Sequence, residues 1–297
     1  MSKVVKGFLI AACVCIVLGI IMLIGVIAGG GADVVAQTLQ EGVYFTPNGF
    51  YVGGQKMFED TTELEFEAGK ELEFAADEIE NLNIELAAGT FDIVEGDEDK
   101  IIIRSAKKIK ASQSGKTLNV NTGKGVKVHL FGGSDGGNRV EITLPKGKEF
   151  HTIDLEIGAG EMDADALLAE ELELEIGAGE IKVDELACEK AKISVGAGKA
   201  VVDSGSAEEL DLDVGMGDLW YAGSLTGDLD ADCGMGNMDV RLDSKEEDYN
   251  YKIDVGMGNI TVGNSSYGGM AHSREIDNDA EADFDLDCGM GNIKIHF

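Results

Sequence analysis

Residues 153–160 read Ile153-Asp154-Leu155-Glu156-Ile157-Gly158-Ala159-Gly160, and the same design returns at 172–179 and 191–198. Apolar and charged residues alternate for five positions and then run into Gly-x-Gly. Period-two alternation describes a strand with one buried face. The paired glycines mark a bend that the following strand cannot avoid.

From Thr152 onward this tripeptide occurs seven times, as Gly158/Gly160, Gly177/Gly179, Gly196/Gly198, Gly215/Gly217, Gly234/Gly236, Gly256/Gly258 and Gly289/Gly291. All of these glycines are expected to be structural turns, stacked corner on corner in chain order. The spacings are 19, 19, 19, 19, 22 and 33 residues. A fixed period near 20 is the mark of a solenoid. After each corner comes a second short strand, such as Ile181 and Val183, or Met238 and Val240. Leu167, Leu186 and Leu225 hint at a third side. No room exists for a crossover helix, so the chain coils and successive coils stack as parallel strands ~4.8 Å apart. The expected fold is all-β: a parallel β-helix-like solenoid with coils of about 19 residues. The L-x-x-L-x-L spacing of a leucine-rich repeat is missing.

Working outward, the organisation is read as follows. Residues 151–297 form the regular repeats, and 61–150 are an irregular first part of the same solenoid. There Ala87-Ala88-Gly89 takes the place of Gly-x-Gly. Residues 31–60 are a linker or cap. Residues 7–28 carry no charge, and a helix of that length spans a bilayer core of ~30 Å. The expected transmembrane helix covers 7–30, with a cytoplasmic N-terminus at 1–6. Lys3 and Lys6 precede the helix, while Asp33 and Glu41 follow it. The positive-inside rule therefore places the solenoid outside the cell membrane, on a single-pass anchor.

The residues 142–145 (Ile-Thr-Leu-Pro), 153–160 and 291–295 (Gly-Asn-Ile-Lys-Ile) together resemble a bacterial family. It is the putative-adhesin β-strand-repeat family, a domain of unknown function related to the head domain of auto-transporter adhesins. The resemblance spans roughly 60–297. It implies a β-solenoid behind a membrane segment, a link to adhesion or envelope stress, and no catalytic residue set.

The 297-residue chain has 24 basic and 56 acidic side chains, a net charge of -32. That charge excludes nucleic acid as a partner, since its binding needs clustered Lys and Arg. Outward columns are acidic: Asp211 and Asp213 are expected to stack beside Asp230 and Asp232. Like charges one rung apart repel by about 0.9 kcal/mol in water. Calcium would relieve this, which makes these four aspartates the candidate metal ligands. The bland alternative is a solvated acidic face. No other cofactor is implied. The histidines are scattered, and no zinc, nucleophile-elbow or phosphate-loop motif occurs. The chain is therefore expected not to be an enzyme.

Two further expectations rest on strand parity and on stacking in chain order. The x residues Met216, Met235, Met257 and Met290 should point inward as core filler, not as a copper(I) ladder. Cys233 and Cys288 should lie two rungs apart, ~9.6 Å, beyond the ~7 Å reach of a disulfide. Candidate contact points are outward Trp220, the insertion at 263–283 with Tyr267, His272 and Arg274, and a basic stretch from Lys107 to Lys127. The functional expectation is a cell-surface adhesin or envelope-binding module with a glycan or envelope protein as partner. Alternatives are an accessory of envelope-stress signalling acting through a membrane partner, and a calcium-binding or glycan-active β-helix.

Overall fold

The computed structural model describes residues 43–46, 49–52, 55–56, 71–106, 109–122, 138–269 and 271–297. The membrane helix expected at 7–30 lies outside the described residues. Among those described, no helix is long and apolar enough to cross a membrane. The chain divides into two compact units, Met1–Thr61 with Lys124–Ser134, and Thr62–Gly123 with Asp135–Phe297. In the first, β1 (Val43–Thr46), β2 (Gly49–Val52) and β3 (Gln55–Lys56) form an antiparallel sheet in that order.

The second unit is one continuous 20-stranded sheet wound into coils around an apolar core. Each coil has a leading strand before the Gly-x-Gly corner and a trailing strand after it. The leading stack runs Thr117–Asn121, 81–86, 152–157, 171–176, Lys190–Val195, Glu209–Val214, Leu229–Cys233, Ala282–Cys288 and Tyr249–Val255. All these rungs pair parallel and in register. The alternation read from sequence sets the inside: Ile153, Leu155 and Ile157, like Leu210, Leu212 and Val214, are buried. Fully burying such a side chain is worth about 1.5–3 kcal/mol. A third side exists where residues 166–168, 185–187 and 204–206 stack and, after a one-residue register shift, 205–207 stack on 223–225, with Leu167, Leu186 and Leu225 inside.

The glycines of the corner are needed for closeness, not for the left-handed backbone that a tight turn would demand. None of them has a left-handed φ. Gly158 and Gly160 even lie inside an unbroken strand, Phe150–Ile176. A Cβ on Gly236 would stand 2.1 Å from the carbonyl oxygen of Gly217, and one on Gly198 would stand 2.1 Å from that of Gly179. Each rung thus rests its second glycine on the backbone of the next. The first glycines, Gly158, Gly177, Gly196, Gly215, Gly234, Gly289 and Gly256, are less tight, at 2.6–2.9 Å from a neighbouring carbonyl oxygen.

The order of the last corners differs from expectation, because stack order is not chain order. Residues 282–296 insert between the coils at 229–242 and 249–262. The glycines record this directly. Gly258 does not rest on Gly236, its predecessor in the chain. Instead a Cβ on Gly291 would meet the Gly236 carbonyl oxygen at 2.3 Å, and one on Gly258 would meet that of Gly291 at 2.3 Å. The sulfurs of Cys233 and Cys288 fill the remaining space, 2.6 Å from the Cβ positions of Gly291 and Gly258 respectively.

The reason lies in the 33-residue spacing. Its extra residues form Ser265–Gly268, antiparallel to Asn259–Val262, and His272–Ile276, antiparallel to Tyr251–Val255. These strands occupy the outer edges of that coil, so only its inner edges remain for the last coil. The same device closes the other end. There Thr117–Asn121 and Asn138–Pro145 lie outside 81–96, covered by Lys110–Ser114 and Lys100–Ser105. Antiparallel strands at both ends keep the parallel ladder from presenting its own bare edge.

Cys233 and Cys288 are consequently neighbours, paired in register one rung apart. Their sulfurs are hydrogen-bonded, and that bond, followed by burial, raises the Cys233 thiol far above its ordinary range. The distance argument against their joining does not hold.

The corner methionines also depart from expectation. They face solvent, at 63% for Met216, 51% for Met235, 66% for Met257 and 53% for Met290. The buried positions flanking a corner, such as Cys233 and Met238, are five apart. Alternation must therefore slip once, and it slips at the first glycine. That turns x outward and the second glycine inward, so that Gly217, Gly236 and Gly291 are buried.

Gly236→Ala should destabilise the domain by about 2–4 kcal/mol because the obstacle is backbone, while Met235→Ala beside it should stay within about 0.5 kcal/mol. Urea melts of both variants check this. Under mild oxidation, Asp239→Cys with Lys294→Cys should form a disulfide, being register partners. Asp239→Cys with Thr261→Cys should not, because Lys294 lies between them. Peptide mapping distinguishes the two, and the opposite pattern would restore sequential stacking.

Candidate functional site

The outer face of the leading stack carries two charged columns, and the strand period fixes both. One column runs Asn83, Asp154, Glu173, Lys192, Asp211, Asp230, Asp285 and Lys252. Lys192 lies 3.7 Å from Glu173, and Lys252 is paired with Asp285. The second column runs Glu85, Glu156, Glu175, Ser194, Asp213, Asp232, Asp287 and Asp254, with no cation in it. At strand spacing it is ~34 Å long.

The chemistry of these carboxylates is set first by burial and then by crowding. Burial, followed by the charge of Glu175, raises the Glu156 carboxyl. Burial raises Asp213 despite the opposing pull of Lys192. Burial and then Asp287 push Asp232 up to about 6. Asn121 offsets part of the rise at Glu85 by donating a hydrogen bond to it.

Along the first column lies an open groove of about 480 Å³. Thr152, Asp154, Glu171 and Glu173 line one end, and Glu209, Asp211, Asp228 and Asp230 the other. Lys190 and Lys192 stand between them, with Lys190 bonded to Glu209 at 2.7 Å. The groove thus alternates acid, base and acid along the stack.

The four candidate calcium ligands are brought together as expected, Asp211 beside Asp230 and Asp213 beside Asp232. They do not converge. Among the described residues, no group of three or more His, Cys, Asp or Glu side chains could hold a metal ion. Side chains on a flat ladder stand parallel, at ~4.8 Å across rungs and ~6.6 Å along a strand, whereas calcium needs oxygens at about 2.3–2.6 Å.

The other candidates have structural employment. Arg241 lies over the Trp220 ring at 4.2 Å, so that indole is half-covered. The insertion with Tyr267, His272 and Arg274 supplies the end cap. Of the basic stretch, Lys116 is paired with Glu80, and Lys107, Lys108, Lys124 and Lys127 lie outside the described residues. Asn237 donates to Asp218 at 2.8 Å and Asn292 donates to Asn237 at 3.0 Å, which makes a short side-chain ladder. In the cation-free column, the place of Asp213 beside Asp232 was readable from the repeats. The column's continuation through Asp287 before Asp254 was not, because it depends on the inserted coil.

A parallel solenoid with in-register charged columns and capped ends defines the class of this protein. A family model described as Toastrack DUF4097, a domain of unknown function, matches residues 79–285, and the chain belongs to that family. No curated protein matches it. Among solved structures, it is similar to a putative adhesin from Bacteroides fragilis at 15% identity. That match covers 76% of this chain and 96% of the other, with a TM-score of 0.38. A putative adhesin from Parabacteroides merdae matches at 16% identity over 76% and 95%, TM-score 0.36. A putative cell adhesion protein from Clostridium sporogenes matches at 16% identity over 79% and 99%, TM-score 0.27.

The raised carboxyl of Asp232 gives a pH prediction. A folded value of about 6 against the ordinary 3.8 means that protonation favours the fold. The stability this contributes is full below about pH 4 and is lost as the pH rises through about 6. Asp232→Asn should therefore raise stability near pH 7.5 and flatten the decline from pH 5. The gain, discounted for its partial exposure, is of order 1 kcal/mol. Thermal melts across that range check it, and a variant that melts lower at pH 7.5 would refute the account of Asp232 as a carboxylate held against burial and its neighbours.

Proposed function

We propose that this chain is a non-catalytic, membrane-anchored surface module, N-terminus inside and solenoid outside, that uses the acidic ladder face for adhesion or envelope binding. The observation that carries this reading is the cation-free column from Glu85 to Asp254, seven carboxylates interrupted only by the neutral Ser194. Holding carboxylates at one-rung spacing opposes folding, and an extended partner bearing cationic or hydrogen-bonding groups at regular intervals would relieve it. Electrostatic complementarity of this kind supplies specificity and rate of association. Repetition favours binding over turnover, because no carboxylate is set apart from its neighbours for acid–base work. The uncharged run at 7–28, preceded by Lys3 and Lys6, supports the anchor and its orientation.

The test uses the full chain in lipid nanodiscs, with intact cells and isolated envelope polysaccharide as probes, in calcium and in chelator. Saturable binding that weakens with salt, and weakens further in Asp213→Asn/Asp232→Asn/Asp287→Asn, is the expected result. Binding to neither probe under any condition would overturn the reading in favour of an accessory that works through a membrane partner. Protease added to intact cells should release the solenoid, and a protected solenoid would overturn the orientation.

A further inference from the structure

The four corner methionines share one feature that neither the fold nor the acidic face uses. In stack order they are Met216, Met235, Met290 and Met257, on four successive rungs. The backbone amide of Met235 donates to Gly215 at 2.7 Å, that of Met290 to Gly234 at 2.7 Å, and that of Met257 to Gly289 at 2.6 Å. Register is fixed on both sides, by Cys233, Cys288 and Val255 before the corner and Asn237, Asn292 and Asn259 after it. The side chains therefore form a single outward column.

Their exposures agree with that order. Met235 at 51% and Met290 at 53%, the inner pair, are less exposed than Met216 at 63% and Met257 at 66%. Neighbours in the column cover one another. Among the described residues, the only other exposed large apolar side chain is Phe297. The preceding rungs carry Ala88, Ala159, Ala178 and Ala197 at the same place. Alanine thus suffices for the corner, and four consecutive rungs instead carry a long side chain in water.

We propose that this column is a soft-metal site, in which thioether sulfurs of adjacent rungs bind a monovalent cation of the copper(I) or silver(I) type. Thioethers select such ions over calcium, magnesium or zinc. Backbones ~4.8 Å apart hold the arms in parallel, and three rotatable bonds per methionine let neighbouring sulfurs converge. The sulfurs are neutral, so the ion keeps its charge. Asp213, Asp232, Asp287 and Asp254 lie three residues before the methionines on the same four rungs and surround the column with negative potential. No redox step is required, because the ion binds as supplied. The site does not depend on the proposed adhesive role.

The experiment is an anaerobic copper(I) titration of the full chain in nanodiscs, in competition with a chromophoric chelator. The comparison is Met216→Leu/Met235→Leu/Met257→Leu/Met290→Leu, which keeps size and apolarity and leaves the cysteines unchanged. The wild type should hold at least one more copper(I) than the variant. Replacing the inner pair Met235 and Met290 alone should weaken that ion about tenfold or more, and replacing the outer pair should weaken it less. Methyl resonances of labelled methionine read the site without a chelator, and silver(I) should move those of these four residues in the folded wild type. Equal copper uptake by wild type and the fourfold variant, or methyl resonances unmoved by silver, would overturn the site and leave the column as an apolar contact ridge.

Discussion

The approach of one glycine to the carbonyl of the next governs this molecule. At 2.1–2.4 Å, the space beside Gly160, Gly179, Gly198, Gly217, Gly236, Gly291 and Gly258 cannot hold even a methyl group. Only because the chain can press backbone on backbone at the corner do the strands on either side meet at hydrogen-bonding distance. In-register stacking then follows, and with it every column on the surface. The carboxylates, the methionines and the asparagines are all consequences of one repeated contact, since a residue at a given place in the repeat has no choice about its neighbours above and below.

That rigidity sets the cost of the surface as well as its use. A globular protein can turn a crowded aspartate towards water. A ladder cannot, and Asp232 sits between Asp213 and Asp287 whatever its side chain prefers. Lys192 and Lys252 interrupt one column, while its neighbour holds no cation and only the neutral Ser194 breaks it. The two faces of one strand thus contribute opposite signs to stability: Leu212 and Ala231 gain from stacking like on like, and Asp213 and Asp232 lose by it.

Much of this was legible in the residues. The 19-residue period, the inward sets from Ile153 to Cys288 and the pairing of Asp211 with Asp230 could be read because alternation and spacing are local properties. Two things were not local. The outward turn of Met235 depended on where, within five residues, alternation slips. The insertion of residues 282–296 depended on what the intervening residues do, and a spacing of 33 is equally long whether the chain advances or doubles back. Cys233 and Cys288 were misplaced for that reason alone, and so was the contact that Gly258 makes with Gly291. Convergence of carboxylates on an ion is a matter of side-chain direction, which a repeat length does not encode.

The doubled-back coil bears on how the molecule comes into being. A solenoid that adds coils in order can settle as it leaves the ribosome, each new rung finding a finished template. Here the coil at 249–262 emerges before the one that must sit beneath it. Either it waits with only its antiparallel partners at 265–268 and 272–276, or it first lies on the coil at 229–242 and must later be prised away. The Tyr249 hydroxyl already reaches the Leu225 carbonyl at 2.7 Å, but its ring stacks at 4.1 Å on Phe284, which belongs to the inserted coil. Residues 282–296 therefore enter the stack as a wedge between two coils that precede them in the chain, and not as the next rung of a solenoid growing in order.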